Sequence, residues 1–98
     1  MKLTGKSKHK LASRLVVELR SWFSKEDLDM VIKIIEAISS TKFKKLLRTY
    51  NFALFLVSQY EAFFKTEQSL LEYVKIDLTD LLLSIKRNLV LNKMLNDK

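Results

Sequence analysis

The side chains that could perform acid–base or metal chemistry are few. His9 is the one histidine, and the chain has no cysteine. A zinc site needs several His or Cys ligands, and a histidine base needs an orienting partner. Asp77 and Asp80 could share one helix face, but a carboxylate pair alone is a weak indication of a metal site. We therefore expect no enzyme, metal or cofactor, with His9 and the two aspartates on a solvated surface.

The net charge of +7, from 18 basic and 11 acidic residues, indicates an anionic partner. Nucleic acid, phospholipid headgroups and an acidic protein surface all fit, and so does a basic surface that serves only solubility. Four of the 18 cations are arginines, the residue type that contacts phosphate and guanine through two hydrogen bonds. This composition leans away from sequence-specific DNA recognition.

The cations fall into three clusters along the chain. They comprise an N-terminal cluster of Lys2, Lys6, Lys8, Lys10 and Arg14, a middle cluster of Lys42, Lys44, Lys45 and Arg48, and a C-terminal cluster of Lys86, Arg87, Lys93 and Lys98. In the middle cluster, Lys42, Lys44 and Lys45 form a candidate basic surface at the start of a predicted helix, where the helix dipole disfavours cations. At the C-terminus the dipole favours cations, so helix stability explains much of that cluster.

Composition and periodicity place these residues on helices. Hydrophobic residues make up 48% of the chain, with one glycine and no proline, which argues against turn-rich β folds and glycine-rich phosphate loops. Apolar residues recur at helical steps over about residues 8–23, 25–39, 42–64 and 67–95. Ser24 and Thr66 are predicted N-caps. The sequence predicts one all-α domain over residues 1–98, an antiparallel up-down four-helix bundle preceded by a flexible basic tail at 1–7.

Two regions of this predicted bundle carry specific expectations. The aromatic side chains of the third helix are expected in the core, as is Trp22. The fourth helix either projects beyond the bundle or bends near Asn88, so that the C-terminal tail folds back. The longest uncharged stretch, Thr49 to Tyr60, is twelve residues, short of the roughly 20 that span a bilayer. With no secretion signal, we expect a cytoplasmic location.

Residues 46–68 read LLRTYNFALFLVSQYEAFFKTEQ. An arginine is followed three positions later by asparagine and an aromatic residue, and an aromatic then precedes a threonine that opens the last helix. The positions that carry the pattern are Arg48, Asn51, Phe52, Phe64 and Thr66, with Gln68 also fitting. This segment resembles the central part of the immunity proteins for class IIa (pediocin-like) bacteriocins, of the enterocin A and leucocin types.

The resemblance implies a cytosolic four-helix bundle that protects a bacteriocin producer. Such proteins recognise, from the cytosol, the mannose phosphotransferase permease occupied by the bacteriocin. Specificity resides in their C-terminal half, here from about residue 64 to 98. The candidate recognition residues in this half are Lys86, Arg87, Asn88, Lys93 and Lys98.

Several alternatives remain open on the sequence. Arg48 and Asn51 could be interfacial or structural, and the basic clusters could also contact the inner membrane leaflet. A small nucleic-acid-binding regulator would use Lys44, Lys45, Arg48 and Asn51, although the break at residues 39–41 lacks the glycine common in such turns. A protein-inhibitor adaptor is the remaining alternative.

Overall fold

The computed structural model describes residues 3–38 and 49–96, and within these ranges all regular structure is helical. The elements are α1 (Gly5–Trp22), α2 (Lys25–Ile38), α3 (Thr49–Tyr60), a 3-10 turn (Glu61–Phe63) and α4 (Glu67–Asn96). The prediction of an all-α chain is confirmed for the described residues. Positions 42–48, predicted as helical, lie outside them.

Side-chain caps determine where the helices begin. The backbone amide of Asp27 donates to Ser24 Oγ at 3.2 Å, and that of Ser69 donates to Thr66 Oγ1 at 3.1 Å. Each hydroxyl satisfies an amide that has no partner within its helix, so both predicted caps are confirmed. Thr4 caps α1 in the same way. Because of this third cap, Gly5 to Ser7 are helical, and the prediction of a flexible tail over 1–7 is wrong for them.

The third helix ends earlier than predicted. It stops at Tyr60 and not at Phe64, and the 3-10 turn follows. In this turn the Glu61 carboxylate accepts a hydrogen bond from the Leu3 amide and lies 3.1 Å from Lys8 Nζ. The turn leaves Phe63 66% exposed while Phe64 is 4% exposed and joins the core. A tertiary contact with the start of α1 thus coincides with the end of the helix.

A single hydrophobic core connects the four helices of the described ranges. α1 packs mainly on α3, and its buried residues include Leu11, Leu15 and Leu19. Phe52, Leu56 and Val57 contribute the facing side of α3. The other buried side chains of this core are Ala12, Phe23, Leu28, Val31, Ile32, Ala53, Phe64, Leu70, Leu71, Val74, Leu78 and Leu82.

Two hydrogen-bonded contacts give the direction of α3 relative to α1. Leu3 lies beside Glu61, whereas His9 lies beside Tyr50. Residue number therefore rises along α1 as it falls along α3, and the two helices run antiparallel. In an up-down bundle, helices alternate in direction, so that the first and third would be parallel. The observed packing differs from that predicted order.

Helix α4 runs parallel to α1. Arg14 of α1 pairs with Glu67 of α4 at 2.7 Å. Eight residues further along both helices, Lys75 Nζ of α4 lies 5.7 Å from the centre of the Trp22 ring of α1. The sequence could not reveal these directions, because an apolar stripe marks the face that a helix buries but not the direction of its neighbour. Trp22 is only partly buried against the core, whereas its neighbour Phe23 is buried. The prediction that Trp22 lies in the core is therefore confirmed only in part.

Helix α4 extends past the region where it packs. Its 30 residues span about 45 Å, and the longest dimension of the molecule is 53 Å. Ile85 is the last buried side chain, and every side chain from Lys86 to Leu95 is exposed. The helix continues without interruption through Asn88 to Asn96.

Candidate partner-recognition surface

The predicted recognition residues lie on the exposed C-terminal half of α4. Lys86, Arg87, Asn88 and Lys93 all have exposed side chains there. Lys98 lies outside the described residues. Because the helix runs unbroken, these four residues have a regular arrangement, with Lys86 and Lys93 two turns apart on one side.

Lys86 already has a partner within the chain. Its Nζ lies 3.1 Å from Asp27 Oδ2, with the lysine side chain 49% exposed and the aspartate 25% exposed. Asp27 occupies the first turn of α2, where a carboxylate also suits the positive end of the helix dipole. Lys86 therefore ties α4 to α2, while Arg87 and Lys93 form no ion pair with any other residue of the described ranges.

Apolar side chains surround these cations, and the sequence prediction missed them as part of the site. Val90 is 57% exposed, Met94 64% and Leu95 68%. Leu83, Leu89 and Leu91 are also at least half exposed. Three consecutive apolar residues, Leu89 to Leu91, point to different sides of a helix, so one packed face cannot bury them all. That run was the signal from which an exposed apolar segment could have been predicted.

The positions of the family pattern are dispersed through the fold. Phe52 and Phe64 are core residues, and Thr66 caps α4. Asn51 is exposed at the first turn of α3 and has an interaction partner. Arg48 lies outside the described residues. Three of these positions thus have structural roles, and the structure does not gather the pattern into one surface.

Two cations of the N-terminal cluster form ion pairs between elements. Lys8 pairs with Glu61 and Arg14 with Glu67. The hydrogen bond from the Leu3 amide and the neighbouring Lys8 ammonium lower the pKa of the Glu61 carboxyl below its ordinary value. The predicted basic surface of Lys42, Lys44 and Lys45 falls outside the described residues.

An aromatic cluster lies where α3 meets α4. The Phe63 ring stacks on Tyr73 with centroids 6.1 Å apart, and Tyr60 lies 5.6 Å from the same tyrosine. Burial, and then a hydrogen bond to the Asp77 carboxylate and its charge, raise the pKa of Tyr60 to about 12. The expectation that Asp77 is simply solvated is therefore wrong. Phe63, predicted in the core, is instead an exposed member of this cluster.

His9 has a neighbour that sequence reasoning did not identify. Its Nδ1 lies 2.7 Å from the Tyr50 hydroxyl, and the two rings stack with centroids 6.1 Å apart. Within residues 3–38 and 49–96, His, Cys, Asp and Glu side chains nowhere gather in threes as a metal site would require. No helix within the same ranges has the length and hydrophobicity needed to cross a membrane.

No family model, curated protein or solved structure was found to match the chain. The resemblance of residues 46–68 to the bacteriocin immunity proteins therefore rests on the quoted residues alone.

Proposed function

We propose that the chain is an immunity protein that protects its producer from a class IIa (pediocin-like) bacteriocin. It acts from the cytosol and binds the mannose phosphotransferase permease when the bacteriocin occupies it. The observation that carries the proposal is the exposed C-terminal half of α4, which presents cations and apolar side chains together in the part of the chain where the resemblance places specificity.

The chemistry of this segment suits recognition of a membrane receptor at its cytosolic side. Exposed apolar side chains such as Met94 and Leu95 can be buried against a partner, and burial of apolar surface is the dominant favourable contribution to most protein–protein association. Arg87 and Lys93 are free to approach the negatively charged inner leaflet, where each cation contributes about 1 kcal/mol. A helix end combining both properties fits a protein surface bordered by anionic lipid.

The proposed mechanism is selective binding of one receptor state. A small helical protein can hold a pore closed only if its affinity for the occupied receptor exceeds its affinity for the empty one. The packed part of α4, held by Leu70, Val74 and Leu78, would position the exposed half. Recognition then requires no chemical step and no cofactor.

Co-purification from membranes tests the proposal. Membranes of a sensitive strain are incubated with tagged chain, with and without a class IIa bacteriocin, and the retained permease is measured. We expect retention in the presence of the bacteriocin that exceeds retention in its absence. Equal retention in both conditions, for every bacteriocin of the class, would contradict the proposal.

Charge reversals locate the surface. Lys93→Glu and Arg87→Glu should each reduce bacteriocin-dependent retention about tenfold or more, which corresponds to about 1.4 kcal/mol. Lys33→Glu is the matched control, because Lys33 is an exposed cation on α2 and not on the C-terminal half of α4. If the Lys33 variant loses retention as strongly as the Lys93 variant, net charge and not this surface carries the binding.

A further inference from the structure

An exposed strip of four apolar and two charged side chains runs along α4 on the side opposite the core. We call it the outer strip, and its members recur at alternating steps of four and three residues. They are Ile76, Asp80, Leu83, Arg87, Val90 and Met94. At about 100° per residue these six positions fall within an arc of about 80°. Alternating four- and three-residue steps are the spacing with which one helix packs along another.

The outer strip is not used by the fold. Ile76 is 61% exposed and Leu83 56%, whereas Val74, Leu78 and Leu82, on the reverse face of the same turns, are buried. Packing within the chain therefore buries one face of α4 and leaves the opposite face exposed. An exposed face on which apolar side chains alternate with charged ones is typical of an interaction surface.

The two charged members of the strip are opposite in sign and lack partners. Asp80 and Arg87 are seven residues apart, which separates them by about 10.5 Å along the helix, too far for an ion pair. Neither forms an ion pair with another residue in the described ranges. The midpoint between Asp80 and Arg87 lies between Leu83 and Ser84. When a second copy of the strip runs antiparallel about that midpoint, each negative position therefore faces a positive one.

We infer that two copies of the chain associate through the outer strips, with their α4 helices antiparallel. A two-fold axis between Leu83 and Ser84 places Asp80 of each copy level with Arg87 of the other. It also brings Ile76 of one copy to the level of Leu91 of the other, one turn from Met94. Self-complementarity of this type is what a two-fold interface requires.

The charges favour a second copy over a lipid surface as the occupant. A lipid-facing helix would carry cations and apolar residues, but Asp80 lies between Ile76 and Leu83 in the strip and would be repelled by anionic headgroups. In the dimer the same carboxylate gains a guanidinium. The contact is about 27 Å long, from Ile76 to Met94, and one helix pair lies at the small end of specific interfaces. We therefore expect a reversible dimer that depends on protein concentration.

The dimer does not rest on the proposed function, but it covers Arg87 and Met94, which that function also uses. The chain would therefore bind the receptor through this surface as a monomer. Lys86 and Lys93 lie at the edge of the contact, roughly a quarter turn away. A chain that failed to protect cells could still dimerise, and a monomeric chain could still protect them.

The test is analytical ultracentrifugation of the full chain and of charge variants over a wide concentration range. The wild type should shift from monomer to dimer with concentration. Asp80→Arg alone and Arg87→Asp alone should each remain monomeric, because each places like charges opposite one another. An equimolar mixture of these two variants should dimerise again, since each then meets the opposite charge. Asp29→Lys, an exposed reversal on α2, should dimerise like the wild type.

Several outcomes would overturn the inference. A wild type that is monomeric up to about 1 mM has no such interface. A dimer that both Asp80→Arg and Arg87→Asp leave intact uses another surface. Two monomeric variants that do not recover in the mixture, with helical circular dichroism unchanged, show that the charges do not pair between copies. Binding of a monomeric wild type to phosphatidylglycerol vesicles would assign the strip to lipid instead.

Discussion

Lys86 Nζ lies 3.1 Å from Asp27 Oδ2, and Lys86 is the last residue of α4 that forms an ion pair within the described ranges. Ile85 precedes it as the final buried side chain, and exposed residues follow to Leu95. The pair thus marks the boundary between the part of α4 that stabilises the fold and the part that is free to bind. Lys86, one of the cations predicted to recognise a partner, therefore forms an ion pair within the chain at this boundary.

Removing the Lys86 ammonium should loosen the exposed half of α4 more than it destabilises the protein. A half-exposed ion pair contributes about 1 kcal/mol or less to folding. Lys86→Ala should therefore change the free energy of unfolding little, while amide hydrogen exchange of residues 86–96 becomes faster. Lys93→Ala removes a cation without an ion-pair partner in the described ranges and should leave exchange unchanged. Equal exchange in both variants would show that the pair does not anchor the helix.

Phe63 and Phe64 are neighbours whose substitution should give very different results. Phe64 is 4% exposed and Phe63 66% exposed. Phe64→Ala opens a cavity and should cost about 3–5 kcal/mol of unfolding free energy. Phe63→Ala should cost less than about 1 kcal/mol, the usual range of surface changes. Urea denaturation measures both, and similar losses would mean that the 3-10 turn is not as described.

The pairing of Glu61 with the start of α1 predicts a pH-dependent stability. Its carboxyl has a lowered pKa in the folded chain, so the stabilisation is complete above the ordinary glutamate range and is lost as pH falls through the folded pKa. At neutral pH, Glu61→Gln should unfold at a lower urea concentration than the wild type. The difference should shrink steadily below about pH 4. A difference that persists unchanged in acid would rule out a role for the charge.

Tyr60 should titrate unusually late. Its pKa is raised to about 12, so the stabilisation from the neutral phenol is complete below pH 10 and is lost as pH rises through about 12. The phenolate absorbance should contain one transition near that pH. Tyr60→Phe should remove this transition, and Asp77→Asn should lower its pKa by removing the accepting carboxylate and its charge. An unchanged titration in Asp77→Asn would show that burial alone is responsible.

Local features of the fold could be predicted from sequence because their causes are local. Ser24 and Thr66 cap helices through amides three residues ahead, and such spacing is visible in the chain itself. The end of α3 could not be predicted in this way, since it involves Glu61 meeting Leu3, 58 residues away. The parallel course of α1 and α4 is likewise a result of contacts at long range.

The candidate site could be predicted only in part. A count of charges along the chain finds Lys86, Arg87 and Lys93. It does not show that Lys86 is occupied by Asp27 or that apolar residues such as Val90 are exposed beside them. The ion pair and the exposed apolar residues both depend on where α4 stops packing on the other helices. The helical spacing of apolar residues in the sequence continues past that point, so it does not show where packing ends.

Protection of living cells is the most direct measurement of the proposed function. The chain is expressed in strains sensitive to class IIa bacteriocins, and the inhibitory concentration of each peptide in a panel is determined. We expect resistance to at least one peptide and its loss with Lys93→Glu, while Lys33→Glu still protects. Unchanged sensitivity to every peptide, with the chain present and folded in the cytosol, would contradict the proposal.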